Sequence, residues 1–275
     1  MSIPNTVGAS SPLIAENLDL AYDQRQIVSD LDVSIPDGKF SIIVGPNACG
    51  KSTLLRALAR LLPPAKGTVL LDGNNIEKMK TKKIAQRLGL LPQSSIAPDG
   101  ITVAELVSRG RHPHQSLLRQ WTDADEAAVL SALRATNTEE LSSRLVDELS
   151  GGQRQRVWVA MVLAQETSLL LLDEPTTFLD VAYQIELLDL FSQLNHEYGH
   201  TLVAVLHDLN QACRYADEII AMKDGSIVAQ GPPETIITSE LVHEVFGIEC
   251  TVIDDPVTGA PMIVAGAPKK TFAQR

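Results

Sequence analysis

GPNACGKST, residues 45–53, follows the apolar run FSIIV at 40–44 and opens the stretch KSTLLRALARLL at 51–62. A strand buried on both faces, then a glycine loop, then a helix is the setting in which Gly-x-x-x-x-Gly-Lys-[Ser/Thr] reads as a phosphate cradle. Gly45, Gly50, Lys51 and Ser52 fill the fixed positions; Pro46, Asn47, Ala48 and Cys49 lie between them and Thr53 follows. Loop amides and the helix N-terminus present unpaired N–H donors and the positive end of the helix dipole, so both favour an anion. Lys51 is expected to bridge the β- and γ-phosphates of ATP, and the Ser52 hydroxyl to ligate Mg2+. Leu54, Leu58, Leu61 and Leu62 are expected on one helical stripe, ended by Pro63-Pro64.

Two further motifs fall about a hundred residues later. LLLLDEP (169–175) is a second buried strand with two carboxylates at its end. Asp173 is expected to hold Mg2+ through water. Glu174, one residue on, is expected to polarise the attacking water, since phosphoryl transfer needs mainly positioning and charge compensation. LSGGQRQR (149–156) starts a helix that Ser150 can cap, with the N–H groups of Gly151, Gly152 and Gln153 at its end. That end suits an anion, yet the chain's own loop already surrounds a nucleotide. The economical reading is two chains face to face, each completing the other's site, which couples ATP binding to association.

Composition sets the frame. The chain has 275 residues, 44% of them hydrophobic and 4% aromatic, enough for one large domain or a domain with an inserted lobe. No apolar run approaches the roughly 18 residues of a membrane span. The opening MSIPNTVGASSP lacks a basic cluster and an apolar stretch, which argues for a short lead rather than a secretory signal. A cytosolic protein, or one held at a membrane by a partner, is expected. A net charge of −11 argues against a nucleic-acid partner. Cys49, Cys213 and Cys250 are scattered, with neither zinc-site nor disulfide spacing.

Around the motifs, apolar alternation in IAENLDLAYD and QIVSDLDVSIPDG predicts antiparallel strands, and GTVLLDGNNI and EIIAMKDGSIVAQG predict hairpins turning at Asp72-Gly73 and Asp224-Gly225. Strand-like runs give way to helical ones after Ser94 and resume at Leu169. The expected fold is α/β, a nucleotide-binding parallel-sheet core with an antiparallel β subdomain and an inserted α-helical subdomain. Its expected divisions are 1–93 (first part of the core), 94–147 (helical insertion), 148–249 (second part of the core) and 250–275 (C-terminal tail).

In this order the motifs resemble the ATP-binding subunit of ABC (ATP-binding cassette) transporters over nearly the whole chain, which makes the expected core a P-loop NTPase. The resemblance implies that Gln93 in LLPQ is the lid glutamine that senses Mg2+ and contacts the membrane partner. It implies that His207 in VLHDLN is the switch histidine at the γ-phosphate, that Asp180 in TTFLD communicates between monomers, and that Tyr22 stacks on adenine. The family usually has glycine where this chain has Ala48, and a methyl group is expected to be tolerated there at negative φ.

ITVAELVSRGRHPHQ, AVLHDLNQACRYADEII and IDDPVTGAPMIV are similar to ATPases that import ferric siderophores, most closely catecholate ones such as ferric enterobactin. That implies a homodimer formed on ATP, transmembrane permease subunits above it, an extracytoplasmic siderophore-binding protein, and a peripheral place on the cytoplasmic face of the membrane. Vitamin B12 and haem importers are the neighbouring alternatives. His112 and His114, two residues apart, are poorly placed to share a metal and are read as part of an exposed loop. A soluble ATPase acting on nucleic acid would call for a basic surface or a second cassette. A subunit with a dead site would lack the intact Lys51, Asp173, Glu174 and His207.

Overall fold

The computed structural model describes residues 11–23, 25–93, 96–115 and 121–266; residues 1–10 of the lead read at 1–12 and residues 267–275 of the tail lie outside them. β1 (Leu13–Tyr22) and β2 (Arg25–Ile35) pair antiparallel, as their alternation predicts. β3 (Phe40–Val44) is buried throughout and leads through the glycine loop into α1 (Lys51–Leu58). β4 (Lys66–Leu71) pairs with β1 and turns at Asp72-Gly73 into β5 (Asn74–Asn75), giving the sheet order β2-β1-β4-β5.

α1 is shorter than its leucine stripe predicts. Arg60 adopts φ 58°, and the N–H groups of Leu61 and Leu62 both turn back to Arg56 O. This left-handed closure ends the helix before the prolines are reached. It leaves Leu61 63% exposed rather than on the buried face.

α2 (Thr81–Ala85) and β6 (Leu88–Leu91) bring the chain to Gln93. α3 (Val103–Ser108), a 3-10 turn over Arg109–His114 and α4 (Asp123–Ala135) follow. Thr102 with Glu105, and Thr122 with Asp125, form capping boxes that start α3 and α4. The chain enters and leaves this region side by side. Thr102 bridges Leu145, Val103 N–H donates to Arg144 O, and Val146 N–H donates to Ile101 O.

α5 (Gly151–Leu163) returns the chain to β7 (Leu169–Asp173), followed by α6 (Val181–His196), β8 (Thr201–Val205), α7 (Leu209–Tyr215), β9 (Glu218–Lys223) and β10 (Ser226–Gly231). The larger sheet has the order β10-β9-β3-β8-β7-β6 and is parallel except for the β9–β10 hairpin. Its strands feed two cores by alternation. Ile42, Leu170, Leu172 and Ala204 join the cluster that holds α5, α6 and the helical region; Ile43, Leu171, Val203 and Val205 join the one that holds α1 and the antiparallel sheet. Burial on both faces is why these strands are continuously apolar. The register pairs Ile43 and Asp173 each with Val205. The carboxyl ends of β3, β7 and β8 therefore lie side by side, at the edge where α/β sheets bind ligands.

α8 (Pro233–Ile236) and α9 (Ser239–Phe246) precede a second departure from expectation. The segment from Cys250 is a hairpin of β11 (Cys250–Asp254) and β12 (Pro261–Ala265), paired from Cys250 with Ala265 to Asp254 with Pro261. Its turn is held by Asp255, whose Oδ1 accepts the Val257 N–H at 2.8 Å. Glycine, proline and alanine in the turn and flanks hide two short alternating runs. Among the described residues, no helix is long and apolar enough to cross a membrane.

Candidate active site

The phosphate loop is shaped before any ligand is considered. Gly45 is pressed against β9, where a Cβ would sit 2.2 Å from Met222 O. Gly225 N–H, in the β9–β10 turn, donates to Cys49 O at 3.0 Å, and a Cβ at Gly225 would meet Ile27 O at 2.1 Å. Gly50 caps α1 at φ 105°. Ala48 has φ 62°, so the condition of a negative φ for an easily tolerated methyl group is not met; the loop passes through the left-handed region to bring Cys49 N–H back to Pro46 O. A Cβ in that region costs about 1–2 kcal/mol. Cys49 is buried and its thiol pushed up by that burial, away from reactive thiolate, in keeping with a small residue that fits the loop.

Lys51 is 5% exposed and its Nζ donates to Gly45 O and Pro46 O, both at 2.8 Å. A positive charge is thereby held inside the loop, facing the amides that favour phosphate. Ser52 Oγ donates to Asp173 Oδ1 at 2.7 Å. Burial pushes the Asp173 carboxyl above the usual range, and the Ser52 hydroxyl offsets part of this. A hydroxyl and a carboxylate side by side next to a phosphate cradle suit Mg2+, which takes few protein ligands and fills its shell with water and phosphate oxygens. No cluster of three or more His, Cys, Asp or Glu able to hold a metal occurs among the described residues, so a cage made wholly of such side chains is not what this site offers.

Glu174 is the hub. It sits at φ 52°, just past β7, with its side chain 12% exposed. Gln93 Nε2 donates to Oε2 at 2.9 Å, Thr177 Oγ1 donates to Oε2 at 3.2 Å, and His207 Nε2 lies 2.7 Å from Oε1. Gln93, Glu174 and His207, 114 positions apart from first to last, thus meet around one carboxylate. A cleft of about 250 Å3 is lined by Asn47, Ala48, Gly50, Lys51, Ser52, Thr53, Glu174 and His207, joined by Arg25 and Ile27 of β2.

Other expected residues lie elsewhere. Ser150 caps α5 in a reciprocal box with Gln153, whose N–H reaches Ser150 Oγ at 3.3 Å while Ser150 N–H reaches Gln153 Oε1 at 3.1 Å. Gln153 lines a different cleft, of about 640 Å3, with Arg134, Arg156 and Tyr183. Gly151 and Gly152 pack beside Phe178 and Leu179, and Asp180 caps α6 through the Tyr183 N–H. Tyr22 is 41% exposed, touches Arg56 at 3.4 Å and is not in the phosphate cleft lining. His112 is exposed, but His114 is not part of an open loop, since its Nε2 lies 2.8 Å from Gln165 O. Sequence reasoning missed Thr177, Arg25 and Ile27. Thr177 had a signal, a hydroxyl three residues after a carboxylate at a strand end; Arg25 and Ile27 had only their alternation in β2.

A parallel sheet with a glycine loop after β3 and paired carboxylates at the end of β7 defines a nucleoside-triphosphate hydrolase of the phosphate-loop class. The ABC transporter family profile matches residues 28–177. The Ferric enterobactin transport ATP-binding protein FepC of Escherichia coli (strain K12) is 56% identical over 92% of this chain and 93% of its own. The Probable siderophore transport system ATP-binding protein YusV of Bacillus subtilis (strain 168) is 52% identical over 92% of each. Among solved structures, a metal-chelate type ABC transporter in an inward-facing conformation matches with TM-score 0.80 at 27% identity, covering 96% of this chain and 100% of that one. A dimeric ATP-binding cassette in a post-hydrolysis state, bound to ADP and Pi, matches with TM-score 0.72 at 27% identity, covering 80% of this chain and 98% of that one. The chain belongs to the ABC transporter family, as an ATP-binding subunit whose ATPase activity is coupled to transport.

Proposed function

We propose that this chain powers import of ferric siderophore complexes, working as one of two copies beneath a membrane permease. The cargo class rests on its likeness to the enterobactin and siderophore ATP-binding proteins. The catalytic reading rests on one observation above others: the Glu174 carboxylate gathers Gln93 and His207 beside Lys51 and the Ser52–Asp173 pair. The loop amides and Lys51 hold the β- and γ-phosphates. Ser52 and Asp173, with Gln93, would hold Mg2+, which supplies charge neutralisation between the phosphate oxygens. Glu174 accepts a proton from the attacking water, and His207 orients it and meets the γ-phosphate.

Ser150, Gly151, Gly152 and Gln153 complete the site of a second copy, with Asp180 beside that junction. Their support is the α5 N-terminus, which bears the signature glycines yet has its Gln153 in a cleft other than that of Lys51. Tyr22 stands near the adenine end of the site, tied to α1 through Arg56. The helical insertion expected between the two parts of the core acts as a lobe that turns between core and permease, with the chain tied to itself at Thr102 and Leu145. An extracytoplasmic siderophore-binding protein delivers cargo on the far side of the membrane, and the iron chelate never touches this chain.

Glu174→Gln is expected to retain ATP, cut hydrolysis by on the order of a thousandfold and accumulate an ATP-bound dimer. Hydrolysis at the parental rate would remove Glu174 from the role of base. Radio-iron uptake from catecholate chelates by cells with and without the chain tests the cargo. Loss of cobalamin or haem uptake, with iron uptake intact, would overturn the assignment.

A further inference from the structure

Two segments outside the phosphate loop, VLHDLNQACRYADEII (205–220) and IDDPVTGAPMIV (253–264), meet in space. The Asn210 carboxamide grips the main chain of Ile263 twice. Its Oδ1 accepts the Ile263 N–H at 2.7 Å and its Nδ2 donates to Ile263 O at 3.2 Å. One helical turn on, Arg214 places Nη2 and Nε at 2.7 and 3.2 Å from Asp255 Oδ2. The hairpin β11–β12 is thus fastened along α7 by one neutral clamp and one ion pair.

The path from this clamp to the reacting centre is short. The N–H groups of Asn210 and Gln211 donate to Asp208 Oδ1 at 2.8 and 3.0 Å, which caps α7. The residue before that cap is His207, whose Nε2 lies 2.7 Å from Glu174 Oε1. α7 is seven residues long, and only Ala212 and Cys213 within it are buried. A helix of two turns has little stability alone, and in its first turn only Leu209, half-buried, packs against the core. Beyond that packing and a 3.3 Å bond from Gln211 Nε2 to Gln184 Oε1, the turn is fixed by the two bonds from Asn210 to Ile263.

We propose that Asn210 is a positioning residue, and that the C-terminal hairpin is a brace which sets the first turn of α7 and so holds His207 against Glu174. This rests on the hydrolytic role proposed for the His207–Glu174 pair. A parental ATPase rate in Glu174→Gln would overturn that reading by itself, separately from the brace.

In the full chain, Asn210→Ala is expected to lower kcat for ATP hydrolysis roughly tenfold at unchanged KM, because a small displacement of a group acting in the transition state costs rate rather than ground-state binding. The side-chain nitrogen resonance of His207 is expected to move with it. Asn210→Asp, which keeps an acceptor for the Ile263 N–H, is expected to recover part of both. A lower Tm with kcat and the His207 resonance at parental values would overturn the proposal, as would a fall in kcat with that resonance unmoved. Should Asn210→Ala fail to fold, Asn210→Asp decides alone: reduced kcat with a shifted resonance supports the brace, and parental values of both overturn it.

Discussion

Ala48 has a left-handed backbone inside the phosphate loop, at φ 62°. Replacing it with glycine removes the Cβ strain, and the greater freedom of glycine in the unfolded chain offsets part of that gain. Ala48→Gly is therefore expected to raise stability by about 0.5–1 kcal/mol with ATP affinity unchanged. Thermal unfolding checks the sign, and a lower Tm would show that the methyl group packs favourably. Lys51 and Ser52 were legible in the sequence because a loop that wraps a phosphate fixes their spacing, and Asp173 because it closes a continuously apolar strand. The φ of Ala48 was not, since it follows from the loop closing on Pro46 O rather than from the residue itself. Thr177 escaped notice because a hydroxyl near a carboxylate usually serves a turn; only the fold brings Gln93 and His207 to the same carboxylate.

Elements were read well where one local rule governs them and poorly where distant contacts decide. The buried strands β3, β7 and β8 announce themselves by continuous apolar runs. The end of α1 and the hairpin β11–β12 depend on a left-handed turn and on clamps from α7. The helical region is likewise joined to the core by a contact the sequence does not advertise. Arg111, 4% exposed, places Nε 2.9 Å from Asp125 Oδ1 of α4, and its Nη1 meets Ala164 O at 2.7 Å and Glu166 Oε2 at 2.6 Å. The Thr122 hydroxyl, and next Arg111, hold the Asp125 carboxyl down from 3.8 to about 2. A folded value below the unfolded one means that the native state binds fewer protons between these limits. Its contribution is present above about pH 4 and is lost as pH falls toward 2. Asp125→Asn is expected to lower Tm at neutral pH and to flatten, without abolishing, the loss of Tm between pH 4 and 2. Asp255, also held to about 2, titrates in the same window. An acid slope as steep in the variant as in the parent would refute this.

At the scale of the whole molecule, Asn47 and Ser150 are both exposed; Asn47 lines the cleft of Lys51, and Ser150 does not. If ATP is clasped between copies, a short thiol cross-linker should join Asn47→Cys of one chain to Ser150→Cys of another. In the Glu174→Gln background, cross-linked dimers should appear with ATP and Mg2+ and vanish without them. Cross-links within a single chain, or none with ATP, would break the two-copy arrangement. A sequence can announce such a shared site only through a surplus, two anion-seeking loops where one nucleotide needs one. The turn at Gly225, seated between Ile27 O and Cys49 O, bears on how that nucleotide arrives. With the cradle propped from behind, capture forfeits little main-chain freedom. If two copies clasp it, affinity gained from the phosphates would then be left over for drawing the subunits together rather than for organising one.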